Sequence, residues 1–291
     1  MTEITLCPIC SSTNFSTHLN AIDYTVSKKS FAIKRCNACD FLFTSPRPEL
    51  SVLGSYYQSE DYISHSDTSK GLISKLYKIA RSFTLDRKYR LVSPYCKGMP
   101  LLDVGCGTGA FLNHAKSKGL NVLGIEPDQG ASNFAKEKYG LSVYDEKKLD
   151  ELEAESFGAI TLWHVLEHVP NLDERLLQLK RLLHPEGRIY IAVPNPDSYD
   201  AKKYREYWAA YDVPRHLWHF TPQTMRKLLE KNGLKLHKVL PMKLDAYYIS
   251  LLSERYKHGR ERYIPAFWNG LKSNLQADKH AWSSQIYAIG K

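Results

Sequence analysis

The sequence predicts an α/β protein, a doubly wound sheet preceded by a small cysteine-bearing segment. Three observations carry this. Residues 101–112, LLDVGCGTGAFL, read as a buried strand, a glycine turn and the opening of a helix. Beyond them, short apolar runs alternate with amphipathic helical ones. Two Cys-x-x-Cys pairs, Cys7/Cys10 and Cys36/Cys39, are confined to residues 1–45. The 291 residues suffice for one main domain and a smaller one.

The formal net charge of +9 serves solubility or an anionic partner, such as a phosphorylated substrate, nucleic acid or a membrane surface. No apolar run approaches the roughly 20 residues of a membrane helix. The start, MTEITLCPIC, has neither a basic nor an apolar leader region, so a cytoplasmic chain is expected.

In order, residues 1–45 come first. Each cysteine pair can present two thiolates from one tight turn, and two pairs complete a tetrahedral Zn²⁺ site. Cys-Pro-Ile-Cys and Cys-Asn-Ala-Cys-Asp look like the knuckles of a zinc ribbon, with strands over 31–35 and 41–44. A redox dithiol or a rubredoxin-like iron site are the alternatives; structural zinc is favoured, and a closed four-sulfur site leaves no position for catalysis. Cys96 reads as a small apolar side chain.

Ser45-Pro46-Arg47-Pro48 is a stiff break. Residues 46–98 form a helical connector or lid: Leu72, Leu76, Ile79 and Phe83 recur at helical spacing, Ser69 can cap, and Tyr56, Tyr57, Tyr62 and Tyr77 line the stretch. The main domain is 99–291. Strands are expected at 121–125, 141–144, 157–163, 188–193, 234–240 and 284–289. Helices are expected at 129–138, at 172–183, where His184-Pro-Glu-Gly ends the second, and after Thr221-Pro222, where Gly233 stops the third. Insertions at 194–220 and 245–283 leave the ligand-binding rim or edge of the sheet, where loops carry specificity.

The glycines at 105, 107 and 109 let the backbone approach a ligand, and the following helix offers free N–H groups to an anionic part of it. Gly105-x-Gly107-x-x-Ala110 also satisfies the dinucleotide fingerprint, so this loop alone leaves NAD open. Asp103 suits a cationic amino-acid end better than a pyrophosphate.

The run D-V-G-C-G-T-G resembles the first motif of class I S-adenosylmethionine-dependent methyltransferases. His164-Val-Leu-Glu167-His168-Val is similar to the post-strand motif of many small-molecule methyltransferases, the quinone-pathway O-methyltransferases among them. The resemblance covers 99–240 well and the rest loosely. It implies a seven-stranded Rossmann-like methyltransferase sheet that ends in an antiparallel strand. It also implies S-adenosylmethionine held by Asp103, Gly105, Cys106, Gly107, Gly109, Glu126, Asp145 and His164. In that resemblance Glu126 accepts from ribose hydroxyls, Asp145 meets adenine, and His164 lies near the methionine moiety or the acceptor. His164, Glu167 and His168 share one face if they open a helix. Similar residues bind Mg²⁺ in some quinone O-methyltransferases, but those sites have Glu where His164 stands, so Glu167 and His168 are expected to cap and pack the loop.

Asp212-Val-Pro-Arg215-His216-Leu-Trp218-His219-Phe220 resembles a substrate-loop motif of glycan and secondary-metabolite methyltransferases. His216 is the expected base or substrate contact, with Arg215 for a phosphate or carboxylate. The function expected is methyl transfer to oxygen or carbon of a small anionic sugar, glycan precursor or secondary metabolite. An RNA methyltransferase is the alternative, but an N-P-P-Y-like pocket motif, a Pro-Cys pair and a dense basic tract are all missing. Against a non-enzymatic zinc-ribbon binding module stand the intact glycine loop and Glu126.

Overall fold

The computed structural model describes residues 1–57, 72–278 and 281–291. In chain order the strands are β1 (Phe15–Ile22), β2 (Ser30–Cys36), β3 (Leu42–Thr44), β4 (Leu101–Val104), β5 (Val122–Ile125), β6 (Val143–Tyr144), β7 (Phe157–Trp163), β8 (Leu183–Pro194), β9 (Trp218–His219), β10 (Lys235–Pro241) and β11 (Ser284–Gly290). Seven of them form a mixed sheet in the order β10-β11-β8-β7-β4-β5-β6. β4 to β8 run parallel, and β11 lies antiparallel between β8 and β10. This is an α/β Rossmann-like sheet. Every residue of β4 and β11 is buried, as expected of strands covered on both faces. β8 begins earlier than expected, so His184-Pro185-Glu186-Gly187 belongs to the strand and not to a turn.

The helix Leu72–Val92 lies in the connector. Leu85, Tyr89 and Leu91 pack onto the cluster that includes Phe111 and Leu112 of the helix after the glycine turn. Phe83, expected on the buried stripe, is exposed. Tyr62 and the capping Ser69 lie outside the described residues, as do the side chains of Leu72, Leu76, Tyr77 and Ile79.

The first three strands form an antiparallel sheet, and both cysteine turns have one backbone pattern. Ser11 N–H donates to Cys7 O at 2.8 Å and Asp40 N–H to Cys36 O at 2.9 Å, with Ser11 and Asp40 both left-handed (φ 58° and 65°). Cys7 N–H then returns to Ser12 O and Cys36 N–H to Phe41 O, each at 2.9 Å. The equivalence brings the four sulfurs together, each within 4.8 Å of the others.

The 194–220 insertion is part of this small sheet. Its β9 pairs with β3, Leu42 opposite His219 and Phe43 opposite Trp218. Thr44 Oγ1 donates to His216 O at 2.7 Å. Asp200 then ties the two insertions together, accepting from Trp208 Nε1 at 2.8 Å and from Ser273 and Ser283, both at 2.6 Å. In the second insertion the helices Asp245–His258 and Tyr263–Gln276 meet at Gly270, where a Cβ would stand 2.8 Å from Tyr247.

Arg215 is the joint between these parts. Its Nε and Nη2 reach Asp212 at 3.0 and 2.6 Å. Nη1 reaches Tyr56 O at 2.9 Å, and Nη1 and Nη2 reach Asp23 at 3.4 and 3.3 Å. The expectation that Arg215 meets a substrate phosphate or carboxylate is therefore corrected. Its side chain is 1 % exposed and its donors are committed within the protein. Removing one partner of a buried ion pair leaves a stranded charge, at a cost of roughly 3–5 kcal/mol. Arg215→Ala should lower the free energy of urea unfolding by that order; a loss within measurement error would show the cluster to be dispensable.

Candidate active site

The site lies at the carboxyl ends of β4, β5, β6 and β7, where an open α/β sheet binds its ligands. β4 delivers the glycine turn. Gly105 and Cys106 N–H groups donate to Ile125 O at 2.7 and 3.0 Å, which seats the turn on the end of β5. Gly105 is left-handed (φ 72°), and a Cβ there would stand 2.4 Å from Val165 Cγ2. At Gly107 (φ 55°) a Cβ would meet nothing within 4 Å, so this residue faces open space. Gly109, left-handed (φ 76°), caps the helix Ala110–Ser117, whose first N–H groups have no intrahelical partner. The Cys106 sulfur packs toward Gly124 and its thiol lies 3.8 Å from Gly107 O.

Glu126 closes the turn from β5. Its Oε2 accepts from Gly107 N at 2.7 Å and its Oε1 from Asp128 N at 3.0 Å. Each carboxylate oxygen keeps a further lone pair. Burial raises its pKa against these two bonds. Asp103 is 2 % exposed and accepts from Thr161 Oγ1 at 2.5 Å. Burial pushes its pKa up to about 7, against the Thr161 bond and the Lys88 charge. Asp145 follows β6 at the rim, where its Oδ1 accepts from Lys147 N at 3.0 Å.

His164 leaves the end of β7 with a left-handed backbone, φ 58°, its N–H held by Ala192 O at 2.9 Å. A non-glycine residue in this region is strained, and such strain persists only where the surroundings over-determine it. Here Asp245 Oδ2 lies 3.0 Å from Nε2 and Glu167 Oε1 3.4 Å from Nδ1. Burial alone would lower the pKa of this imidazole. The two carboxylates overcome burial and hold it at about 9, so His164 is an imidazolium at neutral pH.

His164, Glu167 and His168 do not open an α-helix; residues 166–168 form a single 3₁₀ turn, with His164 directed to the rim and His168 inward. His168 Nδ1 lies 3.0 Å from Arg215 O and 2.9 Å from Tyr57 Oη. Burial and the neighbouring His216 lower its pKa to about 4. The structure places His216 on the inner side of Glu167. Its Nδ1 lies 2.9 Å from Ala210 O, its Nε2 3.9 Å from Glu167 and from Asp212, and its ring meets His168 edge-on at 4.7 Å. His164 and His216 are thus both brought to Glu167 Oε1. His219 is buried, with Nε2 3.2 Å from Thr44 Oγ1.

Three residues at the rim escaped the sequence reading. Asp245 opens the second insertion, 81 residues from the His164 it holds. Lys88 reaches down from the connector helix to place Nζ 4.3 Å from the centroid of Trp163. Trp163 ends β7, edge-on to Phe111. Burial lowers the Lys88 pKa, against the Asp103 and Asp245 charges. Apolar runs and motif spacing register none of these long-range pairings.

The Cys7–Cys39 and Cys10–Cys36 sulfurs are each 3.5 Å apart. A tetrahedral ion with metal–sulfur bonds of about 2.3 Å spaces its ligands by about 3.8 Å, so this cluster can coordinate a metal.

His164 generates a pH prediction. Because its pKa is higher in the folded state than the roughly 6.5 of a free imidazole, its contribution to stability is fully present below that pH. It is lost as pH rises through about 9. An NMR titration should find the His164 ring protonated at pH 7.5, with Asp245→Asn lowering its pKa. An unshifted ring in the unaltered protein would contradict the assignment.

A family model described as "Methyltransferase domain" matches residues 79–239. Among curated proteins, the mitochondrial ubiquinone biosynthesis O-methyltransferase of Homo sapiens is 32% identical over 161 residues, 50% of this chain and 44% of that protein. The ubiquinone biosynthesis O-methyltransferase of Rickettsia akari is 28% identical over 142 residues, 46% of this chain and 57% of that one. The chain spans about half the length of these relatives. Among solved structures, a SAM-dependent methyltransferase from Archaeoglobus fulgidus superposes with a TM-score of 0.51 at 23% identity, covering 72% of this chain and 94% of that one. Magnesium protoporphyrin IX methyltransferase from Synechocystis, with bound SAH, gives a TM-score of 0.55 at 13% identity, covering 84% and 100%. These two share the fold, which is that of the class I SAM-dependent methyltransferases.

Proposed function

The chain belongs to the methyltransferase-domain family, and from that premise we propose that it transfers a methyl group from S-adenosylmethionine to an oxygen of a small, ionisable organic acceptor. The observation that carries the reading is the open space at Gly107, whose N–H is held by Glu126. The residues fit the cofactor. The backbone of Gly105, Cys106, Gly107 and Gly109 would receive it, the free lone pairs of Glu126 would take ribose hydroxyls, and Asp145, just after β6, would meet the adenine. Asp103 and Glu126 supply the negative charge that a cationic ligand needs.

Bound there, S-adenosylmethionine supplies an electrophilic methyl on a sulfonium. The protein aligns the acceptor with it and excludes water. His164 lies across the rim as a fixed positive charge. It favours the acceptor oxygen as an anion, the form that attacks. His216 supports this from behind, through Glu167. Oxygen is preferred to carbon because the ubiquinone-pathway relatives are O-methyltransferases by name. An anionic acceptor, an acidic sugar or glycan precursor included, suits both the imidazolium and the net charge of +9. Arg215 cannot contribute, being consumed within the fold. The four cysteines are assigned one structural zinc.

Calorimetry should show S-adenosylmethionine binding and no NAD binding. Glu126→Ala should weaken the former by roughly 1.5–3 kcal/mol, the loss of a charged hydrogen bond; NAD binding, or an unaffected variant, would overturn the cofactor assignment. With labelled cofactor and a panel of hydroxylated acids, His164→Ala should lower turnover about 10²–10³-fold, the cost of removing one charge-stabilising donor. Full turnover in this variant would remove His164 from the chemistry. Elemental analysis should give zinc, lost when Cys36→Ser and Cys39→Ser are combined; iron in its place would make the cluster a different site.

A further inference from the structure

A cavity of about 320 Å³ lies between the 3₁₀ turn Ser93–Tyr95 and the strands β8, β10 and β11. Sites for small organic ligands run from roughly 300 to 1,000 Å³. Arg188, on its wall, pairs in register with Ala159 of β7, well before Trp163 at the rim. The cavity is therefore set toward the amino ends of the parallel strands, away from the glycine turn. Tyr95, Tyr190 and Leu240 give it apolar surface, while Arg188, His237 and Lys238 give it basic groups. None of its lining residues is acidic.

Two local devices bring the basic groups together. β10 carries a bulge: Leu236 pairs with Ile289 and Lys238 with Ala288, which leaves His237 opposite no residue. A bulge re-aims side chains that a regular strand would send to opposite faces. His237 and Lys238, neighbours in sequence, accordingly both line the cavity. The second device is Gly290. A Cβ there would stand 2.6 Å from His237 Nε2 and 3.2 Å from Arg188 Nη1, so imidazole and guanidinium close in over a position that glycine leaves open. Arg188 Nη1 donates to Gly187 O at 2.7 Å, and its Cζ lies 5.2 Å from the centroid of the Tyr95 ring. Tyr190 is anchored through Oη, which donates to Leu91 O at 2.8 Å. Burial, and after it the Arg188 and Lys235 charges, lower the His237 pKa. Among the described residues none of the three basic groups is ion-paired with a carboxylate. Like charges gathered in this way repel, and an anion between them relieves the repulsion.

We propose that this cavity binds a planar organic anion, an aromatic carboxylate or phosphate ester, with its ring against Tyr95, Tyr190 and Leu240 and its acid group at Arg188, His237 and Lys238. A guanidinium fork matches either acid group. Aromatic rings beside aliphatic side chains suit a flat apolar body. The site is separate from the glycine turn, and the inference does not rest on the methyl-transfer reading.

Isothermal titration of the full chain with 2-naphthoate and, separately, with 2-naphthyl phosphate tests the site. At least one should bind with a Kd below about 1 mM, and the tighter of the two identifies the acid group. The uncharged 2-naphthol should bind at least about tenfold more weakly, for want of a charge-assisted hydrogen bond. His237→Glu and Lys238→Glu, both at exposed positions, should each weaken the anion by a similar factor. Failure of both anions to bind below about 1 mM, or equal binding of 2-naphthol, would overturn the proposal on the unaltered protein, whatever the variants do. Binding that both variants leave unchanged and His164→Ala weakens would overturn it equally, by placing the anion at the rim.

Discussion

The guanidinium of Arg215 is the constraint on which the rest of the site geometry depends. It is buried between Asp212 on its own loop and Asp23 in the hairpin that joins β1 to β2. Asp23 is prepared for it: the Thr25, Val26 and Ser27 N–H groups and two hydroxyls already point at its carboxylate. Although burial opposes ionisation, these bonds hold the Asp23 pKa down at about 2. The arginine therefore meets a committed anion on one side and Asp212 on the other. Its neighbours His216 and Leu217 are fixed by Thr44 Oγ1 and Thr44 N–H.

The consequence is that the cysteine-bearing segment and the catalytic rim are one mechanical unit. The cysteine turns set the ends of β2 and β3, β3 holds β9, and the residues just before β9 are Arg215 and His216. A metal that orders thiolates contributes to folding directly. A metal at the four cysteines would pass that order through two short strand pairings to the loop behind Glu167. Asp200 extends the chain of support to the second insertion, whose first helix carries Asp245 back to His164. Each insertion thus supplies one side of the environment around the β7 turn.

Much of this was legible in the sequence where the signal is local. The strand, glycine turn and helix at 101–112, the two Cys-x-x-Cys turns and the Thr221-Pro222 cap depend on residues within a few positions of one another, so composition and spacing suffice. Strands β7 and β11, nearly continuous in apolar residues, announce themselves for the same reason. The role of Arg215 was not legible, because its partner Asp23 is 192 residues away and a cationic residue in an aromatic loop reads as a ligand contact. β9, two residues long, carries no periodicity at all. Lys88 sits on a helix whose stripe gives no hint of which charged residue turns toward the sheet. The insertions have ends visible in sequence, but what they touch follows from topology.

The charges at the rim divide into two poles, and burial alone does not decide them. His164 and His168 are four residues apart on one turn, and burial lowers the pKa of both. His164 nevertheless rises to about 9 because Asp245 and Glu167 face it, whereas His168, facing a carbonyl and another imidazole, falls to about 4. On the other side of the open space, Asp103 and Glu126 are acids that burial makes harder to ionise. A cationic cofactor at the glycine turn would favour their charged forms, while an anionic acceptor would be drawn to His164. The two ligands of a methyl transfer from a sulfonium to an oxyanion carry opposite charges. On the proposed reading, an acidic wall under the turn and an imidazolium at the end of β7 would keep the two apart before they react, with the left-handed backbone at Gly107 and His164 setting that arrangement.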